Sequence, residues 1–147
     1  YALGRDVITA EDVMAGTTEQ TTNKIFEMVN AIAEHNQRKA LDLYYDLLTL
    51  KEPPMRILFL LAKQFRQLLL VKEYAEEGIP QPVMASRLGV PSFVAKNIAV
   101  CARSYRISEL RQAVTDFVDA EEAVKTGRLQ DVLSVELLIV KYSSARR

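Results

Sequence analysis

The sequence has 147 residues, of which 49% are hydrophobic and 26% charged, as in an ordinary globular domain. Its 19 basic and 19 acidic residues balance, which argues against a strongly basic nucleic-acid-binding domain. Residues 51–147 are nevertheless mildly basic, with 15 basic residues against 11 acidic ones. The lone Cys101 excludes a disulfide framework, and one Cys with one His excludes a typical zinc site.

The first twenty residues predict a short element followed by a connector. Thr9 can cap a helix over residues 9–14, acidic residues occupy its first turn, and Gly16 follows its end. The polar run at residues 17–22 is a connector and the best candidate boundary. The chain begins at Tyr1, so we expect a piece of a longer protein. We place the tail of a preceding domain at residues 1–20 and one helical domain at residues 21–147.

The rest of the chain predicts helices joined by short connections. They cover residues 23–34, 37–50 after a cap at Asn36, 57–74 after Pro53 and Pro54, 82–88, about 91–104, 108–126, and 132–143 after a cap at Asp131. No segment has the period-2 alternation of a strand bounded by turn residues. The predicted fold is all-α, a compact bundle of seven or eight helices.

The helix predicted at residues 57–74 is apolar around more than half of its circumference. One face carries apolar side chains at helical spacing, and others widen that face. A surface helix needs only one such stripe, so this helix is either central in the bundle or shared with a partner. The apolar set is Leu58, Leu61, Phe65, Leu68 and Leu69, widened by Leu60, Leu70, Val71 and Tyr74; the polar side chains between them are Lys63, Gln64, Arg66 and Gln67.

Catalytic signals are weak throughout the chain. Neither a glycine-rich phosphate loop nor an apolar run long enough for a membrane span occurs. We expect paired acids to lie on solvated faces near Lys72 and Lys125, Lys125-Thr126-Gly127 to end a helix, and Cys101 to be a buried structural thiol. His35 is expected at the surface near a helix end. No catalytic, cofactor-binding or metal-binding residue is predicted, and a small helical enzyme is disfavoured. The acids are Glu76, Glu77, Asp119, Glu121 and Glu122.

Residues 84–100 offer a second interpretation, a helix-turn-helix DNA-binding unit. A glycine at the turn and an apolar Val90 fit such a motif, and the second helix would enter the major groove. That helix offers only Lys96 and Asn97 to bases, because many of its other residues are apolar. A helical hairpin of the bundle is preferred, and DNA binding stays the alternative.

The sequence as a whole resembles the C-terminal part of the bacterial DNA polymerase III delta subunit family. The most specific elements are Lys-Gln-Phe-Arg at residues 63–66, Leu-Gly-Val-Pro-x-Phe-Val at residues 88–94, and Lys-Thr-Gly at residues 125–127. Weaker matches occur in the family's order at residues 8–13, 24–32, 39–48 and 119–138. One departure is Lys51 in the turn 51–54, where the family often has a glycine before the Glu-Pro pair.

This resemblance implies a helical collar domain of a clamp loader, the assembly that opens the sliding clamp. In the family, the C-terminal domains of five subunits pack into a ring, and the delta subunit does not hydrolyse ATP. Residues 1–20 would then be the tail of a small lid domain. The expected partners are the delta-prime and gamma/tau subunits, and the sliding clamp and primer-template DNA would contact AAA+-like N-terminal domains.

The same resemblance places the protein in the bacterial cytoplasm, away from membranes, within a DNA-directed DNA polymerase holoenzyme. It implies oligomerisation without catalysis by this chain. Gln64, Arg66 and Arg103 are the predicted polar groups at an interface between subunits. For Arg66, an internal salt bridge to Glu73 or Asp116 is an open alternative.

Overall fold

The computed structural model describes residues 19–144, which form seven α-helices and, within that range, no strand. This confirms the all-α bundle. The helix expected at residues 9–14 lies outside the described residues. The helices are α1 (Glu19–Ala33), α2 (Gln37–Thr49), α3 (Pro54–Glu76), α4 (Gln81–Leu88), α5 (Ser92–Ala102), α6 (Ile107–Lys125) and α7 (Asp131–Ser143).

Helix α3 is the central element of the bundle. It contacts α1, α4, α5, α6 and α7. On the predicted apolar face, Leu58, Leu61 and Leu68 are buried, and Leu69 packs partly buried against the core. The wide apolar surface expected from the sequence is therefore explained by neighbours on several sides.

Phe65 lies at the centre of an aromatic cluster that joins α3 to the second half of the chain. Its ring centroid is 5.6 Å from Tyr105 in an edge-on arrangement, 5.2 Å from Phe117 and 6.2 Å from Tyr142. These separations suit offset or edge-to-face aromatic packing. The Tyr105 hydroxyl also donates to the Val29 carbonyl at 3.1 Å, which ties the cluster to α1.

The connector predicted at residues 17–22 is wrong for residues 19–22, which form the first turn of α1. Thr21 is buried, and its hydroxyl donates to the Glu52 carboxylate at 2.7 Å. Arg56 donates to the other Glu52 oxygen at 2.9 Å. The polar composition of this turn therefore serves a tertiary hydrogen bond, and no local pattern in the sequence reveals that acceptor.

The predicted helix ends are mostly confirmed. Gly89 and Gly127 follow α4 and α6 with φ of 72° and 78°, the left-handed conformation that glycine adopts without strain. Lys125-Thr126-Gly127 is thus a helix terminus, as expected. The cap of α7 differs from the prediction, since Gln130 is the N-cap and Asp131 is the first helical residue. The Asp131 carboxylate accepts instead from the Val132 N–H at 2.7 Å.

His35 lies just after α1, as predicted, and its side chain contacts a residue far along the sequence. Its φ is 59°, and its Nδ1 donates to the Ser144 carbonyl at 2.8 Å. The Asn36 N–H donates back to the Ala31 carbonyl at 2.8 Å, which closes the end of α1. The imidazole therefore ties the turn between α1 and α2 to the C-terminal end of α7.

Lys51 occupies a left-handed position after α2, with φ of 67°. The Glu52 N–H donates to the Leu47 carbonyl at 3.0 Å, as in a Schellman turn. Because a side chain at such a φ costs energy that glycine avoids, Lys51→Gly is expected to raise the free energy of unfolding by about 1 kcal/mol. Urea unfolding followed by circular dichroism measures the change.

The control for this prediction is a second glycine substitution that should change the free energy of unfolding in the opposite direction. Lys96→Gly replaces another exposed lysine, inside α5, and should lower the free energy of unfolding by about 1 kcal/mol. If both variants lose stability, residue 51 does not hold the left-handed conformation in solution.

Candidate functional site

Within residues 19–144, no three His, Cys, Asp or Glu side chains are grouped so that they could hold a metal ion. None of the helices in the same range is long and apolar enough to cross a membrane. The paired acids lie on exposed faces, as predicted. Glu121 pairs with Lys125 at 3.3 Å, whereas Lys72 donates to the Ala102 carbonyl at 2.9 Å.

A groove of about 520 Å³ with a mostly apolar lining lies between α1, α3 and α5, and we call it the α5 groove. Apolar side chains form much of its lining, and four amide side chains lie among them. The apolar group is Phe26, Val29, Leu68, Phe93, Val94, Ile98 and Val100, with Cys101; the amides are Asn23, Asn30, Gln64 and Asn97. A groove with this lining suits an apolar ligand oriented by a few hydrogen bonds.

Helix α5 exposes large apolar side chains beside this groove. Phe93 is 68% exposed and Val100 is 50% exposed. Lys96 and Asn97 are exposed between them. The opposite face of α5 is buried through Ala95, Ile98 and Ala102. Since Phe93 and Val100 are seven residues apart, they lie on one side of the helix about 10 Å from each other.

A smaller depression of about 140 Å³ continues the groove along α3. The two share Phe26, Gln64 and Val94 in their linings. The extension adds Lys63 and Gln67 from α3. Gln64, a predicted contact residue, therefore lies where the two depressions meet.

Arg66 lies on another side of α3, about 160° around the helix from Gln64. It is exposed and lines a depression of about 150 Å³ with Met55, Phe59 and Val118, among others. It makes no salt bridge within residues 19–144. The internal salt bridge considered for Arg66 is wrong, because Glu73 pairs with Arg111 at 3.5 Å and Asp116 pairs elsewhere.

Asp116 instead joins α6 to α7 through hydrogen bonds. Its carboxylate accepts from Lys141 at 2.7 Å and from the Tyr142 hydroxyl. Gln112 donates to the second oxygen at 2.9 Å. Burial acts to raise the pKa of Asp116, but these three hydrogen bonds outweigh it and hold the pKa below its usual value. The carboxylate is thus occupied within the bundle.

Arg103, the third predicted contact residue, is the C-cap of α5 and is exposed. It follows Cys101, which lines the α5 groove, by two residues. The three predicted residues therefore do not form one site. Gln64 lies in the α5 groove, Arg103 at the end of α5, and Arg66 on the other side of α3. Phe93 and Val100 were missed as contact residues, although their spacing in a helix with buried Ala95 and Ile98 was a usable signal.

Cys101 is half-buried at the α5 groove, whereas a buried thiol was predicted. Burial raises the pKa of Cys101 to about 11, and the nearby Glu34 carboxylate adds to the shift. At neutral pH the residue is therefore a thiol and a poor nucleophile. Its contribution to the groove is apolar packing.

Charge is distributed unevenly around α4 and α5. No acidic residue occurs from residue 78 to residue 108, whereas Arg87, Lys96, Arg103 and Arg106 fall in this stretch, and all four are exposed. None of the four forms a salt bridge in the described part of the chain. Arg87 lies over the Tyr74 ring, 5.4 Å from its centroid. Glu27 on α1 and Glu34 in the turn after it are exposed as well, so the exposed charges near α1 and α5 include opposite signs, while the groove lining itself is uncharged.

Comparison with known proteins identifies the family. The description "DNA polymerase III delta subunit, C-terminal domain" matches residues 22–142. The DNA polymerase III subunit delta of Bacillus subtilis (strain 168) is 33% identical over 137 residues, which cover 93% of this chain and 40% of that protein. The structure of the Bacillus subtilis DNA clamp loader delta protein superimposes with a TM-score of 0.80 at 32% identity, over 90% of this chain and 39% of that one.

This chain thus spans about two-fifths of the length of the relatives it matches. The matched residues 22–142 cover five of the described helices completely and all but the outer ends of α1 and α7. The chain belongs to the family formed by the C-terminal domains of DNA polymerase III delta subunits.

Proposed function

We propose that this chain is the non-catalytic assembly domain of a clamp-loader delta subunit, a collar that packs against the C-terminal domains of other clamp-loader subunits. The observation that carries the proposal is the TM-score of 0.80 to a DNA clamp loader delta protein over 90% of this chain. Residues 1–20 would be the tail of a lid domain, and residues 21–147 the collar. The delta-prime and gamma/tau subunits are the proposed neighbours in a pentamer.

Exposed apolar side chains support an assembly role. Besides Phe93 and Val100 on α5, the side chains of Val118, Leu133 and Leu137 are exposed on α6 and α7. Single exposed apolar residues are normal on a monomer, but a pair beside an apolar groove is typical of an interaction site. A permanent interface between subunits should bury more than about 2,000 Å².

Contacts with the sliding clamp and with primer-template DNA would be made by domains that precede this one.

The two different depressions on opposite sides of α3 also support a position in a ring of subunits. In a ring of different subunits each member meets its two neighbours through different surfaces. The α5 groove and the Arg66 depression are two such surfaces, separated by the central helix.

Size-exclusion chromatography with light scattering tests the proposal. The chain is expected to elute in a stable complex when it is mixed with the purified remaining clamp-loader subunits of the same organism. Bovine serum albumin at the same concentration is the control for non-specific association. A chain that stays separate from the subunits at micromolar concentration would contradict the assembly role.

DNA binding through α4 and α5 is the second candidate function. The observation in its favour is the acid-free stretch from residue 78 to residue 108, with Lys96 and Asn97 exposed on α5. Under this alternative, alanine at both positions abolishes binding to duplex DNA, and wild-type affinity falls steeply with salt. The assembly role predicts weak DNA binding and little change in complex formation from these two alanines. Fluorescence anisotropy with a labelled duplex separates the two functions.

A further inference from the structure

We infer that the α5 groove docks one amphipathic helix of a neighbouring clamp-loader subunit, with apolar side chains along one face and Asp or Glu beside them. This inference rests on the proposed function and names the partner chemistry of one surface. The shape of the groove, the exposed side chains of α5 and the exposed charges near α1 and α5 support it.

The shape of the groove matches a short helix. The groove and its extension follow α3 from Leu68 to Leu60, a rise of about 12 Å along that helix. This distance is about two helical turns, the span over which a docked helix presents side chains at i, i+3 or i+4, and i+7. The apolar floor would receive those side chains.

Phe93 and Val100 supply apolar contacts at the rim. They are exposed in the isolated chain by 68% and 50%, and their spacing of about 10 Å is close to the groove length of about 12 Å. Burying Phe93 is the largest single gain available to a partner here, because aromatic side chains dominate interface energetics. Gln64 and Asn97 line the groove beside them and can fix the register through hydrogen bonds.

The exposed positive charges of α5 indicate that the partner carries acidic side chains. Lys96 and Arg103 lie on the α5 side, are exposed, and form no salt bridge within residues 19–144. No carboxylate occurs from residue 78 to residue 108 to compensate them. A helix with Asp or Glu facing α5 would therefore complement this rim, whereas a basic helix would be repelled.

A nucleic acid fits the same surface less well. Phosphates need cations along their path, but the α1 side of the groove presents Asn23 and Asn30 as its polar side chains. Glu27 is exposed on the same helix, and Glu34 is exposed in the turn that follows it. The α1 residues that line the groove therefore offer a polyanion no cation, whereas a helix can direct its acidic face toward α5 alone.

Surface plasmon resonance with the complex of the remaining subunits immobilised tests this inference. Phe93→Asp is expected to weaken binding about 30-fold, since it removes an aromatic contact and adds a charge to an apolar contact. Lys96→Glu should weaken it about 10-fold at low salt and less at high salt. Leu50→Asp is the control, because Leu50 is 53% exposed at the end of α2 and should leave affinity unchanged. Circular dichroism verifies that each variant is folded.

The outcomes separate this inference from the proposed function. If the wild-type chain does not bind the subunits, the proposed function fails. If wild type binds and Phe93→Asp binds equally well, or Leu50→Asp weakens binding as much, only the groove assignment is overturned. Loss of oligonucleotide affinity in Lys96→Glu, with binding to the other subunits unchanged, overturns it in favour of a nucleic-acid surface.

Photo-crosslinking identifies the occupant directly. Benzoylphenylalanine in place of Asn97, in the groove lining, is expected to crosslink to a peptide of another subunit. Mass spectrometry should find apolar residues at helical spacing and neighbouring Asp or Glu in that peptide. A crosslinked peptide that lacks acidic residues would overturn the inferred partner chemistry.

Discussion

Replacing Phe65 with alanine is expected to lower the free energy of unfolding by about 3–5 kcal/mol. Phe65 is fully buried on the central helix, and its ring contacts Tyr105, Phe117 and Tyr142. The substitution leaves a cavity bounded by three large rings, which cannot all move inward because each is held by a different part of the bundle. The loss is a large part of the roughly 5–15 kcal/mol that stabilises an ordinary domain.

Urea unfolding followed by far-ultraviolet circular dichroism measures this loss. Phe93→Ala is the matched control, because the same truncation at a side chain that is 68% exposed should change stability by about 0.5 kcal/mol or less. A loss below about 1 kcal/mol for Phe65→Ala would mean that the cluster is not closely packed. An equal loss for both variants would mean that Phe93 is buried in solution.

Local patterns in the sequence were sufficient to predict the helices. The apolar spacing in α3 predicts a helix with neighbours on several sides, because side chains that cover most of a helix must be buried by more than one element. Gly89 and Gly127 mark helix ends because left-handed residues favour glycine. These features depend on residues within a few positions of each other, so a single sequence contains them.

Features that depend on contacts between residues far apart in the sequence were either not predicted or predicted wrongly. The start of α1 relies on Thr21 and Glu52, which are 31 residues apart. Arg66 has no internal partner within the described residues, because its two candidate acceptors bind Arg111 and Lys141 instead. The α5 groove is formed by three helices that are separated in the chain. No local pattern specifies which of several similar charges will meet, or which apolar faces stay open.

Replacing Glu52 with alanine is the second prediction with a large effect, a loss of about 2–4 kcal/mol in the free energy of unfolding. The Glu52 side chain is only 10% exposed and pairs with Arg56 at 2.9 Å, while Thr21 donates to its other oxygen at 2.7 Å. The Arg56 Nε is already buried without a hydrogen-bond partner. Removing the carboxylate therefore leaves a partly buried cation uncompensated, which costs more than the pair itself contributes.

Glu121→Ala is the control for Glu52→Ala, since it removes an exposed pair with the i+4 lysine, Lys125, and should cost about 0.3–0.5 kcal/mol. Combining Glu52→Ala with Arg56→Met should destabilise less than the sum of the single changes, because the stranded cation is then absent. Strict additivity would show that the two side chains do not interact. Chemical unfolding of all four variants gives these values.

The Glu52 contact also bears on the α5 groove. Thr21 lies in the first turn of α1, and Asn23 and Phe26, which line the groove, follow within the next turn or so. Without the Glu52 carboxylate, the first turns of α1 lose the hydrogen bond that Thr21 donates to the loop before α3. Under the proposed assembly role, Glu52→Ala should therefore weaken binding to the purified clamp-loader subunits, although residue 52 is not in the groove lining. Thr21→Val, which removes the same hydrogen bond and leaves the Arg56 pair intact, should weaken it similarly with a smaller loss of stability. If Thr21→Val leaves binding unchanged, α1 is held in position by its apolar face alone.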